Sequence, residues 1–262
     1  MIYEITDMSK VPPLFNNWEE TLIWSCLQGI MGKIYGNHPN APTAAVAVLG
    51  DFAFFAGTPS MELVSYKPDR RTQDMMIMVP QNEDWKRLIT SCYREKAKVF
   101  SRYAIKKEPD IFDKDKLEKI AASLPEQYKI HMIDEQLFQM CRAENWSADF
   151  VSQFPTYQDY HDLGLGVVIC KDSAIVSGAS SYSRYREGIE IEIDTRKDYR
   201  RKGLASVCGA KLILECLKRN LYPSWDAHNL ESVALAEKLG YHYSHAYTAV
   251  EISDYSLYYQ RK

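Results

Sequence analysis

Between residues 196 and 202 the chain reads Arg-Lys-Asp-Tyr-Arg-Arg-Lys, and Gly203, Leu204 and Ala205 follow at once. Five of those seven residues are basic, which makes the segment suited to holding an anion. Just upstream, Ile189-Glu190-Ile191-Glu192-Ile193 alternates apolar and acidic side chains, the period of a half-buried strand. Downstream, Leu204, Val207, Leu212, Leu214 and Leu217 fall in a stretch of helical length. A basic loop that leads from a strand into a helix offers unpaired backbone N–H groups and the positive end of a helix dipole. Gly203 removes the Cβ where a phosphate would have to approach the backbone. Glu190 and Glu192 share one face of the strand that feeds this loop. Two such carboxylates attract a cationic amine and raise each other's pKa, so either could accept a proton; a polar strand face turned to water is the other reading.

A basic run by itself is also compatible with a solvated charged turn. The wider pattern favours phosphate. Arg200-x-x-Gly203-x-Ala205 resembles the acyl-CoA pyrophosphate loop of the GNAT superfamily of N-acetyltransferases. Further on, Pro223-Ser224-Trp225-Asp226-Ala227-His228-Asn229-Leu230-Glu231-Ser232 precedes Leu235-Ala236-Glu237-Lys238-Leu239-Gly240-Tyr241, similar to the strand, Asn and Gly-aromatic helix end of that family. The segment looks most like the zwittermicin-resistance type within the superfamily, and the resemblance covers residues 126 to 255.

The resemblance implies a co-substrate and a chemistry. Acetyl-CoA would be the donor and a small-molecule primary amine the acceptor, an antibiotic-type amine by analogy. Backbone N–H groups of Ile193, Asp194 and Thr195 would meet pantetheine and polarise the thioester. Arg200, Arg201, Lys202, Gly203, Leu204 and Ala205 would hold the pyrophosphate, and Asn229 and Ser232 the cofactor arm. Ten residues before Arg200, Glu190 stands where many members keep a general base, with Glu192 as its neighbour. The family's usual acid, a Tyr four residues before the helix-ending Gly, is Ala236 here. Tyr241, Tyr243 and Tyr247 lie nearby, and Tyr241 occupies the position that packs against the core. The missing Tyr keeps open a non-catalytic acyl-CoA-binding sensor or regulatory module. Trp225 reads as a packing residue, and Asp226 as an amine contact or a helix cap.

The elements that must position these residues read as α/β, with strands and helices interleaved. In the C-terminal half we expect a strand at 128–133, helices at 134–144 and around 148–154, and a hairpin over 166–170 and 174–178. The Glu190 strand, the Leu204 helix, a strand at 222–227, the Leu230 helix and strands from Tyr241 follow. The N-terminal half repeats part of this order: Asp51, Ala53 and Gly57 match Asp172, Ala174 and Gly178 at an offset of 121. A strand at 75–79, a helix at 82–94, a strand at 101–105 and a helix at 114–123 then follow. This half is a degenerate GNAT-like copy or a product of simple α/β economy. It has lost the loop, since Pro80-Gln81-Asn82-Glu83-Asp84 would repel phosphate. Its first helix is expected over 16–33, with Trp18, Leu22, Ile23, Cys26, Leu27 and Ile30 on one face. We place the division at Leu124-Pro125-Glu126, giving an N-terminal α/β domain, 1–125, and a GNAT domain, 126–262.

Composition bounds the partners. The chain has 262 residues, enough for two domains, and a 46% apolar fraction that can supply their cores. With a net charge of −3 and only Tyr199 interleaved in the basic run, nucleic acid is not an expected partner. Six scattered cysteines without metal-type spacing read as reduced thiols in a cytoplasmic protein. His242 and His245 fall on opposite faces of a strand, so no metal is expected. The N-terminus lacks a signal-peptide pattern, and the apolar run 44–57 is interrupted by Gly50-Asp51, so no membrane is expected. Homodimerisation is left open.

Overall fold

A computed structural model describes residues 1–16, 18–68 and 74–255. The backbone divides into two compact units, Met1–Arg102 with the segment from Ala246, and Tyr103–His245.

The first unit contains β1 (Tyr3–Glu4), α1 (Thr21–Leu27), β2 (Lys33–Gly36), β3 (Ala44–Leu49), β4 (Phe52–Gly57), α2 (Met61–Ser65), β5 (Met75–Pro80), α3 (Glu83–Tyr93) and most of β6 (Ala97–Ile105). Its strands lie in the order β1-β2-β3-β4-β5 and continue to residues 250–253, which pair antiparallel with Met75–Met78. The expected hairpin is present as β3 and β4. The next strand, β5, pairs parallel to β4 after crossing over through α2, an element absent from the sequence reading. The first helix is shorter than 16–33: it ends at Leu27, and Gly29 and Gly32 then take positive φ angles of 66° and 76° that no helix holds. Trp85, Ile89 and Tyr93 bury the inner face of α3 against Phe55 and Met78.

The second unit carries the chemistry-bearing segments. Its elements are α4 (Lys114–Ala122), β7 (Lys129–Met132), α5 (Glu135–Ala143), α6 (Tyr157–Leu163), β8 (Gly166–Lys171), β9 (Ala174–Tyr185), β10 (Gly188–Thr195), α7 (Leu204–Lys218), β11 (Tyr222–Ser224), β12 (Asp226–Ala227) and α8 (Leu230–Leu239); β13 (Tyr243–Ser253) begins here. Residues 103–125, read from the sequence with the first half, sit in this unit because Leu117 of α4 is fully buried among Leu204, Val207 and Ile213 of α7. The helix expected around 148–154 is a single 3₁₀ turn, Ala148–Phe150; the longer helix is α6, closed at its start by a capping box between Thr156 and Asp159.

Five strands form one sheet in the order β11-β10-β9-β8-β7. Ile189 and Ile191 of β10 are buried toward α7, each contributing about 1.5–3 kcal/mol, and Ile193 packs there partly buried. The opposite face is covered by Phe150 and Tyr160: the Phe150 ring lies against Gly178, and the Tyr160 hydroxyl is 2.9 Å from Ser180 Oγ. The strand expected over 222–227 is two strands. Tyr222–Ser224 pairs parallel with Gly188–Glu190, whereas Asp226 and Ala227 leave the sheet and pair with Ala104 and Tyr103 of β6.

Gly188 is required where β10 meets β11, because a Cβ there would overlap the Tyr222 carbonyl oxygen and the Tyr185 hydroxyl. Gly188→Ala is expected to lower stability by about 2–3 kcal/mol in urea unfolding, since backbone atoms must move to admit the methyl. An unchanged midpoint would mean the two strands are not held this tightly.

Candidate active site

The site is made by two strands that pair and then separate. β10 and β11 share three residue pairs, ending at Glu190 and Ser224. Beyond that point Trp225 turns into the core, 2% exposed and packed edge-on against Tyr241 at 5.5 Å, and the chain departs as β12. From Ile191 to Thr195, β10 keeps β9 on one edge and has no strand on the other among the described residues. Along this stretch the residues whose N–H and C=O groups turn away from β9, Ile191 and Ile193, present an open hydrogen-bonding edge, which an extended amide-bearing chain can occupy as a further strand would.

The open edge leads into the loop. After a 3₁₀ turn at Lys197–Tyr199, Arg201 and Gly203 both take left-handed backbone angles, φ 60° and 80°, and α7 starts at Leu204. Gly203 gives α7 no side-chain cap, and an ideal Cβ placed on it meets no atom within 4 Å. A helix of fifteen residues therefore begins with its first N–H groups facing unfilled space, the arrangement that receives phosphate. The corresponding helix start in the first unit is closed. Asn82 caps α3 by accepting from the Asp84 and Trp85 N–H groups, and Glu83 and Asp84 fill its first turn with negative charge. The acidic, capped helix start agrees with the expectation that Pro80-Gln81-Asn82-Glu83-Asp84 would repel phosphate.

The basic side chains divide into two groups. Arg200 donates through Nε to the Thr195 carbonyl at 3.0 Å and through Nη2 to Asp194 Oδ1 at 3.1 Å, fastening the loop to the end of β10. Arg196 makes a two-pronged contact with Asp198, at 2.9 and 3.0 Å, and this holds the Asp198 carboxyl below the usual range. Lys202 donates to the Asp198 carbonyl at 3.0 Å, and the Tyr199 ring lies beneath both Arg196 and Lys202 at 4.7 and 4.5 Å. The Lys197 and Arg201 side chains are exposed and make no hydrogen bond or ion pair among the described residues. Three of the five basic groups brace the loop, and two project from it.

Thr195 is buried, its hydroxyl 2.7 Å from Ser177 Oγ, which donates to the Asp194 carbonyl at 3.2 Å. Its N–H donates to Asp194 Oδ1 at 2.6 Å and its carbonyl accepts from Arg200, so side chain and backbone of Thr195 both fix the strand end. Asn229 is the cap of α8: Oδ1 accepts from the Ser232 N–H at 2.9 Å, and the amide Nδ2 makes no hydrogen bond among the described residues. That assigns the cap to Asn229 rather than to Asp226. Ser232 Oγ accepts from the Trp225 indole at 3.1 Å. Ala205 and Leu204 lie in the first turn of α7, with Leu204 buried in the core.

The two carboxylates differ. Glu190 is 6% exposed at the last paired position of β10 and β11, while Glu192 lies two residues on, along the open edge, and is half-buried. Around Glu190 the structure gathers side chains that the sequence did not single out. Ser183 is its register partner on β9 and Ser224 its partner on β11. Ser224 Oγ is 2.8 Å from the Tyr185 hydroxyl, whose pKa is raised chiefly by burial and further by the Glu190 charge. Ala236, where a Tyr was expected from relatives, is fully buried, and Tyr241 is buried with its hydroxyl donating to the Pro223 carbonyl at 2.6 Å. Tyr243 is 38% exposed.

An open strand edge, an uncapped helix start beside it and a buried carboxylate at the point of divergence can align an acyl thioester for attack and take a proton. The GNAT acetyltransferase profile matches residues 12–250. The chain belongs to the GNAT acetyltransferase family. It is 46% identical to a GCN5-related N-acetyltransferase-like protein from Streptococcus suis 89/1591, over 94% of this chain and 98% of that one, with a TM-score of 0.89. It is 23% identical over 249 residues to an uncharacterized N-acetyltransferase, YdfB, of Bacillus subtilis (strain 168), covering 91% of this chain and 90% of that protein. A tandem GNAT protein from the clavulanic acid biosynthesis pathway shares the fold, with a TM-score of 0.52 at 9% identity over 97% of this chain and 99% of that one. The chain is thus an acetyltransferase with a GNAT fold in a two-half arrangement. Among the described residues no helix is long and apolar enough to cross a membrane.

Because the space beside Gly203 is open and its φ is 80°, the left-handed backbone alone sets the cost of a side chain there. Gly203→Ala is expected to lose about 1–2 kcal/mol in urea unfolding, as for a non-glycine residue in this conformation. A loss of 4 kcal/mol or more, beyond the usual range for single substitutions, would show that the loop is packed rather than open.

Proposed function

We propose that this GNAT-family chain transfers the acetyl group of acetyl-CoA to the primary amine of a small molecule. The observation that carries the proposal is the parting of β10 from β11 directly beside the uncapped start of α7. The co-substrate fits what is there. Pantetheine amides match the open edge at Ile191–Thr195, and the pyrophosphate matches the first turn of α7 with Gly203 bare of a Cβ. The exposed Lys197 and Arg201 side chains add charge for phosphate, and Asn229 Nδ2 remains to donate to the pantetheine arm.

In this reading the thioester carbonyl lies along the open edge, and the Ile193 N–H, which turns away from β9, supplies a hydrogen bond as charge develops on its oxygen. Glu190 takes the proton of the incoming ammonium, and the neutral nitrogen attacks the carbonyl carbon. The C–N bond forms, the C–S bond breaks, and the departing thiolate takes the second proton, which the acylated nitrogen sheds as it becomes an amide. Holding donor and acceptor together supplies about 7–11 kcal/mol of the acceleration in well-oriented systems. Glu192, nearer the open edge, adds negative potential for a cationic acceptor.

The likeness of residues 223–241 to zwittermicin-resistance acetyltransferases supports an antibiotic-type amine as acceptor. The six free cysteines, four of them buried, support a reducing, cytoplasmic setting. A purely acyl-CoA-binding role, which Ala236 left open, is not favoured by membership of an acetyltransferase family.

Two variants test the reading together. Gly203→Asp places a carboxylate where phosphate would sit and is expected to abolish acetyl-CoA binding in calorimetry while the circular dichroism spectrum stays unchanged. Glu190→Gln is expected to lower kcat about 100-fold with thiol release from a panel of amines as the readout, while acetyl-CoA affinity holds. Normal cofactor binding by the first variant would remove the loop assignment, and unaltered turnover by the second would remove Glu190 as base.

A further inference from the structure

Across β9, β10 and β11 runs a row of polar side chains on the face away from α7: Ser183, Glu190 and Ser224, each the register partner of the next. All three are buried, at 0%, 6% and 0% exposure. Ser224 has its hydrogen bond, to Tyr185. Ser183 does not: its Oγ is sealed from solvent and has no partner among the described residues. Such a group carries the full cost of desolvation, so an unspent hydroxyl at this depth calls for an explanation. The local backbone sharpens the point. Between Ser183↔Glu190 and Ser181↔Ile191 the register shifts, leaving Tyr182 as an extra residue on β9. A bulge of this kind re-aims neighbouring side chains and is often found beside active sites. Side chains on directly paired strand positions have Cβ atoms about 4.5–5.5 Å apart, so one small polar group can bridge a Ser and a Glu placed this way.

We propose that Ser183 is an acceptor-binding residue: its hydroxyl oxygen accepts an N–H of the acceptor's primary amine while Glu190 removes the proton. The inference rests on the acetyl-transfer reading above and adds to it the subsite that orients the nucleophile. Once the ammonium proton is on Glu190, the neutral nitrogen keeps two N–H bonds and one lone pair. Ser183 takes one N–H, which turns the lone pair toward the thioester carbonyl. The ligand class is a primary amine, and an N-methylated analogue lacks one of the two hydrogens.

The test is Ser183→Ala in the full chain, using whichever amine of the thiol-release panel the wild type acetylates, together with its N-methyl derivative. The variant is expected to melt at or above the wild-type temperature, because it removes a buried hydroxyl that the fold does not use. KM for acetyl-CoA is expected to stay unchanged, kcat/KM for the amine to fall about tenfold, and the preference for the primary over the methylated amine to shrink. A lowered melting temperature would show the hydroxyl serving the fold, and unchanged amine kinetics with the preference intact would show that it does not meet the acceptor. Either result overturns the proposal while wild-type turnover leaves the acetyl-transfer reading standing. A wild type that releases no thiol with any amine removes that reading and this one with it.

Discussion

The constraint on which the site depends is that β11 stays with β10 for three residue pairs and no more. A parallel partner that continued would satisfy the N–H and C=O groups of this stretch that turn away from β9 and leave nothing for a ligand to bind. What draws the chain away is apolar burial. Trp225 enters the core against Tyr241, its indole N–H donates to Ser232, and Ala227 is fully buried as β12 pairs with β6. The cost of an unpaired strand edge is thereby set against the packing of one large aromatic residue and its neighbours. Backbone polar groups left unpaired are costly when dry, so a persistent open edge implies a ligand or solvent that occupies it.

The loop continues the same logic in electrostatic form. Basic side chains crowded at a helix start repel one another, and the structure answers with Asp194 and Asp198, which take Arg200 and Arg196. Those pairs are at the surface, and pairs of that kind are worth about 0–1 kcal/mol each, so their value lies in geometry rather than stability. They fasten the loop in which Arg201 and Gly203 take left-handed conformations before α7 begins. The first unit shows the alternative outcome at α3, where one Asn cap and two acidic residues turn a helix start into an ordinary, self-satisfied one.

Much of this was legible from the chain alone because it is local. Alternation through Ile189–Ile193, the Lys/Arg run and Gly203 all act over a few residues, and the strand, loop and helix stand where those patterns put them, whereas the cap of α8 falls to Asn229 and not to Asp226. What stayed hidden depends on long-range pairing. Residues 222–227 read as one strand because nothing in the sequence says that Ser224 and Asp226 will join different partners. The Ser183–Glu190–Ser224 row requires the bulge at Tyr182, whose one-residue shift no periodicity reveals; the only trace is the density of serines at 177, 180, 181 and 183 in a buried strand. The bracing role of Arg200 and Lys202 was equally invisible, since a basic residue reads the same whether it meets a ligand or a carbonyl. The placement of residues 103–125 depends on α4 packing against α7, a contact across some ninety residues that composition could not report.

Hydrogen exchange of the β10 amides, followed with and without acetyl-CoA, tests the central claim most directly. If the strand edge left open by β11 is where the co-substrate binds, amides within Ile191–Thr195 and at the first turn of α7 should exchange more slowly when acetyl-CoA is added, while those at Gly188–Glu190, already paired, should change little. Protection that appears elsewhere in the chain, with Ile191–Thr195 unaltered at saturating acetyl-CoA, would contradict the account.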